Sequence, residues 1–108
     1  MRKKILIIED DETVRDNTAE LLELSNYQVS TAVNGKQGIK LATKEFPDLI
    51  VCDIMMPEAD GYQVLEELSK NNRTSSIPFV FLSAKTDHKD IRKGMNLGAD
   101  DYLTKPFE

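Results

Sequence analysis

The chain is poor in reactive and metal-binding side chains: it has one cysteine, one histidine and no long apolar run. A single cysteine excludes an internal disulfide and fits a reducing, cytoplasmic setting. Cys52 lies inside an apolar run, so a buried, inert thiol is expected. His88 sits in the charged stretch from Lys85 to Lys89 and reads as solvated. Without a second histidine or a cysteine cluster, no zinc site is expected. No apolar stretch approaches the length of a membrane span, and no membrane partner is expected. Met1-Arg2-Lys3-Lys4 is basic, but acid arrives at Glu9 before a signal-like segment can form. Asn34-Gly35-Lys36 lacks the spacing of a glycine-rich phosphate loop. No serine–histidine–acid arrangement, internal repeat, low-complexity tract or interdomain linker stands out.

Basic charge is also in deficit. Fourteen Lys and Arg face nineteen Asp and Glu, for a formal charge of −5. Direct nucleic-acid binding by this domain alone is not expected, because phosphate repulsion would dominate. A DNA-binding domain elsewhere on a longer natural chain stays open. With 108 residues, 40% hydrophobic and 31% charged, the chain reads as one domain, residues 1–108, with a modest core.

What is present is a set of short apolar runs that end on polar residues. Ile5-Leu6-Ile7-Ile8 leads into Glu9-Asp10-Asp11, and Leu49-Ile50-Val51-Cys52 into Asp53. Phe79-Val80-Phe81-Leu82 leads into Ser83, and Tyr102-Leu103-Thr104 into Lys105-Pro106. Lys4–Ile8, Leu49–Cys52, Phe79–Leu82 and 101–104 read as strands, and Tyr27–Ala32, which alternates, reads as an edge strand. Between them lie amphipathic helical patterns. Val14, Thr18, Leu21, Leu22 and Ser25 share a stripe from which Arg15 is excluded. Ile39, Ala42 and Phe46 share a face after an Asn34 cap, and Pro47 ends that helix. Val64, Leu65 and Leu68 mark a third helix. A fourth is expected over 87–97, with Ile91 and Met95 inward and Gly98 as its C-cap. The order βαβαβαβαβ predicts a parallel sheet with right-handed crossovers and helices on both faces. The polar run-ends then meet in one crevice at the C-terminal edge of the sheet, where open α/β sheets bind ligands.

Each of these residues has two readings. Asp53 is either a turn or cap aspartate, or a nucleophile whose carboxylate attacks phosphorus to give an acyl phosphate. The acids from Glu9 to Glu12 favour a helix N-terminus through its dipole. Adjacent carboxylates on a rigid frame also suit Mg²⁺. Both readings hold if Asp11 and Glu12 serve the helix while Glu9 and Asp10 face the crevice. Ser83 is either a cap for the next helix or a donor to a phosphoryl oxygen. Lys105 is either solvated or, placed just beyond a buried strand and before Pro106, paired with a phosphoryl group or with Asp53.

The runs 4–12, 53–61 (Asp-Ile-Met-Met-Pro-Glu-Ala-Asp-Gly), 81–85 (Phe-Leu-Ser-Ala-Lys) and 98–107 (Gly-Ala-Asp-Asp-Tyr-Leu-Thr-Lys-Pro-Phe) together resemble the response-regulator receiver domain of two-component signalling. The resemblance covers essentially the whole chain. It implies a CheY-like, flavodoxin-like doubly wound sheet of five parallel strands in the order 2-1-3-4-5. It implies Asp53 as phosphoacceptor for a histidine kinase or phosphotransfer protein. Mg²⁺ would be held by Asp10, Asp53 and the backbone carbonyl of Met55, with Glu9 assisting through water. Ser83 would be the switch hydroxyl, Tyr102 the aromatic switch and Lys105 the phosphoryl-binding lysine, with a cis Lys105–Pro106 bond where sequence alone favours trans. Output would pass through the fourth helix and fifth strand to an output domain or downstream protein. Met55 and Lys85 fall where the family tunes acyl-phosphate lifetime, and Met55, unable to orient water, implies slow decay.

A receiver closes with a fifth helix, which this chain, ending at Glu108, does not reach. Its loss would uncover ~400 Å² and forfeit up to roughly 10 kcal/mol of burial, an upper bound. Either a partner such as a second copy in a homodimer covers that strip, or the natural chain continues. The principal rival is a Mg²⁺-dependent aspartyl-nucleophile phosphatase, disfavoured because Met55 stands where its second acid belongs. A flavin-binding module meets an acidic crevice that repels the flavin phosphate. A receiver that binds partners without phosphorylation fits poorly with an intact set of Glu9, Asp10, Asp53, Ser83 and Lys105.

Overall fold

Strands that are apolar throughout must be covered on both faces, and the helices of this chain do that from both sides. The computed structural model describes residues 2–83, 93, 95, 96 and 98–104. The elements are β1 (Lys4–Ile8), α1 (Glu12–Leu24), β2 (Gln28–Ala32), α2 (Gly35–Glu45), β3 (Leu49–Asp53), α3 (Gly61–Ser69), β4 (Phe79–Ser83) and β5 (Asp101–Thr104). The strands form one parallel sheet in the order β2-β1-β3-β4-β5. The strand order matches the sequence reading, as does the alternation as far as β4. Among the described residues, no helix is long and apolar enough to cross a membrane.

The period-two alternation of the strands divides the core. Leu6, Ile8, Ile50, Cys52, Phe79 and Phe81 pack with Ala42 of α2 and with Val64, Leu65 and Leu68 of α3. Ile5, Ile7, Val51 and Leu82 face the other way, towards Val14, Ala19 and Leu22 of α1. Each of these helices starts at the C-terminal edge of the sheet on a side-chain cap. Asp11 accepts from the Val14 N–H at 3.1 Å, and Asn34 from the Gln37 N–H at 2.8 Å. Asp60 accepts from the Gln63 N–H at 3.0 Å while the Gln63 side chain returns a bond to the Asp60 N–H at 2.9 Å. Such caps contribute about 1 kcal/mol each, and they fix the turns that carry the site.

Several expectations need correction. Phe46 does not share the buried face of α2; it caps the helix in the left-handed region (φ 49°) and is 44% exposed. Pro47 disfavours a right-handed helical conformation at the residue before it, so the ring turns outward beneath the Arg73 guanidinium, 6.0 Å from its centroid. Ser25 is likewise an exposed cap rather than part of the α1 stripe. β2 begins at Gln28, one residue later than predicted. Met95, expected inward, is 43% exposed; the Gly98 N–H bonds its carbonyl at 3.1 Å, which places it at a helix end near the surface. Lys93, Met95 and Asn96 are helical and Gly98 has the positive φ of a C-cap (104°). Most of the expected 87–97 helix, including Ile91, lies outside the described residues. On the strip expected to lie bare, exposure varies from residue to residue. Val51 and Leu82 are buried, while Val80 and Leu103 are half-buried.

The tightest helix–strand approach is at Gly38 of α2. A Cβ there would fall on Ile8 Cδ1 and lie 2.6 Å from Ile8 Cγ1. Overpacking of this kind costs about 1–3 kcal/mol, against the ~1 kcal/mol that alanine gains over glycine in a helix. Gly38→Ala is therefore expected to lower the urea midpoint despite its better helix propensity. An unchanged or raised midpoint would show that α2 lifts off β1 freely.

Candidate functional site

Strand register builds the site. Ile8 of β1 pairs with Cys52 of β3, so the residues that follow, Glu9 and Asp53, emerge side by side at the C-terminal edge. Glu9 is 0% exposed and Asp53 3%. Asp10 completes the group from the solvent side, and one carboxylate oxygen from each of the three lies within 4.8 Å of the others. The division of labour read from the sequence holds. Asp11 caps α1 and Glu12 sits in its first turn, whereas Glu9 and Asp10 turn to the crevice.

Glu9 is held along its whole length. Its N–H donates to the Ala32 carbonyl at 3.0 Å. Its carbonyl accepts from Arg15 Nη1 at 3.0 Å, and Oε2 accepts from the Asp11 N–H at 3.2 Å. Asp53 is fixed through its backbone surroundings. The Ile54 N–H reaches the Leu82 carbonyl at 3.2 Å, and the Gly61 N–H reaches the Ile54 carbonyl at 3.0 Å. A Cβ on Gly61 would stand 2.5 Å from the Asp53 carbonyl oxygen, so the loop can fold back this tightly only with glycine there. Tyr62, next in α3, is buried with its ring 5.3 Å from Phe81 in an edge-to-face contact.

Asp53 pairs with Leu82, so Ser83 ends β4 one residue further along at the same sheet edge, in register with Thr104. Tyr102 is in β5 opposite Phe81. Lys105 and Pro106 lie outside the described residues, as do Lys85 and His88. Met55 is in the loop after β3, 76% exposed between buried Ile54 and Met56. Glu9, Asp10 and Asp53 are thus brought together, and the backbone brings Ser83 to the same edge. Sequence reasoning missed two contributors. Gly61 enters the sequence reading only as the last residue of the run 53–61. Arg15 was assigned to the solvent face of α1, although a base near a helix N-terminus, where the dipole disfavours it, was a signal.

Three hard oxygen donors on rigid elements match the ligand chemistry of Mg²⁺. Oxygens on opposite sides of that ion are about 4.2 Å apart, so donors within 4.8 Å of one another need little movement to close on it. The residues present fit the ion.

The chain matches a protein family over residues 5–108, and that family is described as the response regulator receiver domain. The chain belongs to this family. The receiver is 44% identical over 105 residues to the DNA-binding dual master transcriptional regulator RpaA of Synechocystis, covering 97% of this chain and 44% of that protein. It therefore spans less than half the length of that relative. Among solved structures, it superposes with a TM-score of 0.95 on a putative response regulator from Chloroflexus aurantiacus, at 32% identity, covering 100% of this chain and 88% of that one. The receiver domain of the sensor histidine kinase PA1611 from Pseudomonas aeruginosa matches with a TM-score of 0.91 at 27% identity, covering 100% of this chain and 88% of that one. That structure has a magnesium ion coordinated in its active-site cleft. The chain is thus a receiver domain of two-component response regulators with a CheY-like fold, a signalling domain with an acidic pocket.

Behind the pocket, Cys52 is fully buried and its Sγ donates to the Asp53 carbonyl at 3.4 Å. Burial, then the charges of Asp53, Glu9 and Asp60, push its thiol well above the ordinary 9.0. The folded state keeps the proton when the unfolded chain has lost it. The thiol's contribution is therefore complete below pH 9 and declines as pH rises beyond it. Relative to Cys52→Ala, the protein is expected to lose about 1.4 kcal/mol of stability per pH unit above about 9. Urea titrations of both proteins between pH 8 and 10 measure this, and parallel curves would contradict it.

Proposed function

We propose that Asp53 is the phosphoacceptor, taking a phosphoryl group from the phosphohistidine of a histidine kinase or phosphotransfer protein. The observation that carries this reading is the convergence of Glu9, Asp10 and Asp53 to within 4.8 Å at the end of adjacent strands. The P–N bond of the donor breaks as a bond forms between phosphorus and an Asp53 carboxylate oxygen, and the imidazole leaves with the electron pair. Asp10, Asp53 and the Met55 carbonyl would hold Mg²⁺ directly, and Glu9 would do so through water. When bound, the ion supplies the positive charge that lets a phosphoryl dianion approach three carboxylates.

The other roles belong to this chain's own side chains. Lys105 pairs with the phosphoryl oxygens. Ser83 donates its hydroxyl to one of them and moves towards it, and Tyr102 turns inward into the space released. The two arrangements form a bistable element whose populations phosphorylation shifts. The domain also transfers phosphate to itself from small donors and returns to rest by admitting water to the acyl phosphate. No substrate is turned over for its own sake, so it is a switch rather than a phosphatase.

The output is a further domain or a downstream protein on the 83–104 side. A relative more than twice as long that is named as DNA-binding favours an output domain that touches nucleic acid, while this acidic domain does not. Cytoplasmic placement goes with such partners. A second copy over half-buried Val80 and Leu103 is the homodimer this reading favours.

With Mg²⁺ and a small phosphodonor, intact mass is expected to show one added phosphoryl group on the wild-type chain and none on Asp53→Ala. Equal labelling of both would end the assignment. The acyl phosphate is expected to decay slowly, and Met55→Asn, which can orient a water, to speed its decay several-fold. Unchanged decay would remove Met55 from lifetime control.

A further inference from the structure

Glu9 begins where the β1 ladder ends, and its carbonyl has passed the last strand pairing of Ile8 with Ala32 and Cys52. A side chain takes over there. Arg15, on the first turns of α1 and half-buried, donates Nη1 to that carbonyl at 3.0 Å. The Arg15 N–H also returns to the Asp11 carbonyl at 2.9 Å, and the Asp11 N–H closes on Glu9 Oε2 at 3.2 Å. Residues 9–15 thus form a closed set of bonds around the turn that presents Glu9 and Asp10. We propose that Arg15 is a positioning residue for the acidic site, its guanidinium fixing the β1–α1 turn in the one geometry that brings Glu9 and Asp10 onto a divalent cation together with Asp53.

This rests on the function proposed above and deepens it. Arg15 acts through Glu9, since its side-chain bond goes to the Glu9 carbonyl. Two effects compete when it is removed. Losing a positive charge near three carboxylates would tighten cation binding, and freeing the turn would loosen it. The charge-assisted bond from guanidinium to carbonyl is directional and partly buried, so the geometric effect dominates.

Mg²⁺ binding followed by calorimetry, without any phosphodonor, decides between them. Arg15→Met, which keeps the aliphatic stem but has neither charge nor donor, is expected to raise the Mg²⁺ dissociation constant about tenfold, the low end for partners that hold a metal ligand in place. Arg15→Lys, with a charge and a donor, should restore most of it. In phosphorylation by a small donor, Arg15→Met should raise the Mg²⁺ concentration for half-maximal rate by the same factor and leave the saturating rate within about twofold, because the reacting groups are untouched. Unchanged or tighter Mg²⁺ binding by Arg15→Met overturns the proposal, as does equal loss in Arg15→Lys. Should Arg15→Met not fold, Arg15→Gln, with a shorter stem and no charge, is held to the same weakened affinity. A wild-type chain that fails to bind Mg²⁺ would instead sink the proposed function itself.

Discussion

The structure is organised around the placement of like charges. Parallel pairing of β1 with β3 in a single register forces Glu9 and Asp53 to emerge together, both nearly excluded from solvent. Two ionised carboxylates with oxygens within 4.8 Å of each other repel by roughly 3 kcal/mol or more at an effective dielectric constant near 20. The fold opposes this with the amino end of α1, whose dipole and Asp11 N–H address Glu9. The remaining strain is relieved by whatever positive charge enters. A crevice with three hard oxygen donors of this kind suits a divalent cation.

The scaffold translates this demand into rigidity. Caps at Asp11, Asn34 and Asp60 all lie at the edge where the carboxylates converge, so each loop there is short and anchored at its exit. From Asp53 the constraint runs through the close approach of Gly61 to the edge-to-face pair of Tyr62 with Phe81, and Phe81 stands in turn against Phe79 at 5.1 Å. Lys93 reaches the outer face of the Tyr62 ring, 4.4 Å from its centroid. β3, α3 and β4 are therefore packed as one piece, with Lys93 seated on its outer side.

Much of this was legible in the sequence because it is written in residue type. Four- and five-residue runs of Ile, Leu, Val and Phe can only be buried strands, and the acids that end them can only crowd one edge once the sheet is parallel. Position-dependent chemistry was harder to read. Helical periodicity carries through Phe46, but the proline after it overrules the pattern. Arg15 looks like any solvated base until the loss of strand pairing at the Glu9 carbonyl is known. Gly61 looks like an ordinary loop glycine, whereas its role is to leave room for the Asp53 carbonyl. In each case the deciding contact comes from a distant element or from the backbone, and neither leaves a mark in local composition.

Cys52 brings a practical benefit. The chain's one thiol is sealed beneath the crevice and held protonated. A cysteine introduced anywhere on the surface would be the sole group open to a maleimide probe in the native protein. Paired labels on α1 and α3 could then follow any change in the separation of the two helices optically, with no need to delete a native residue beside Asp53.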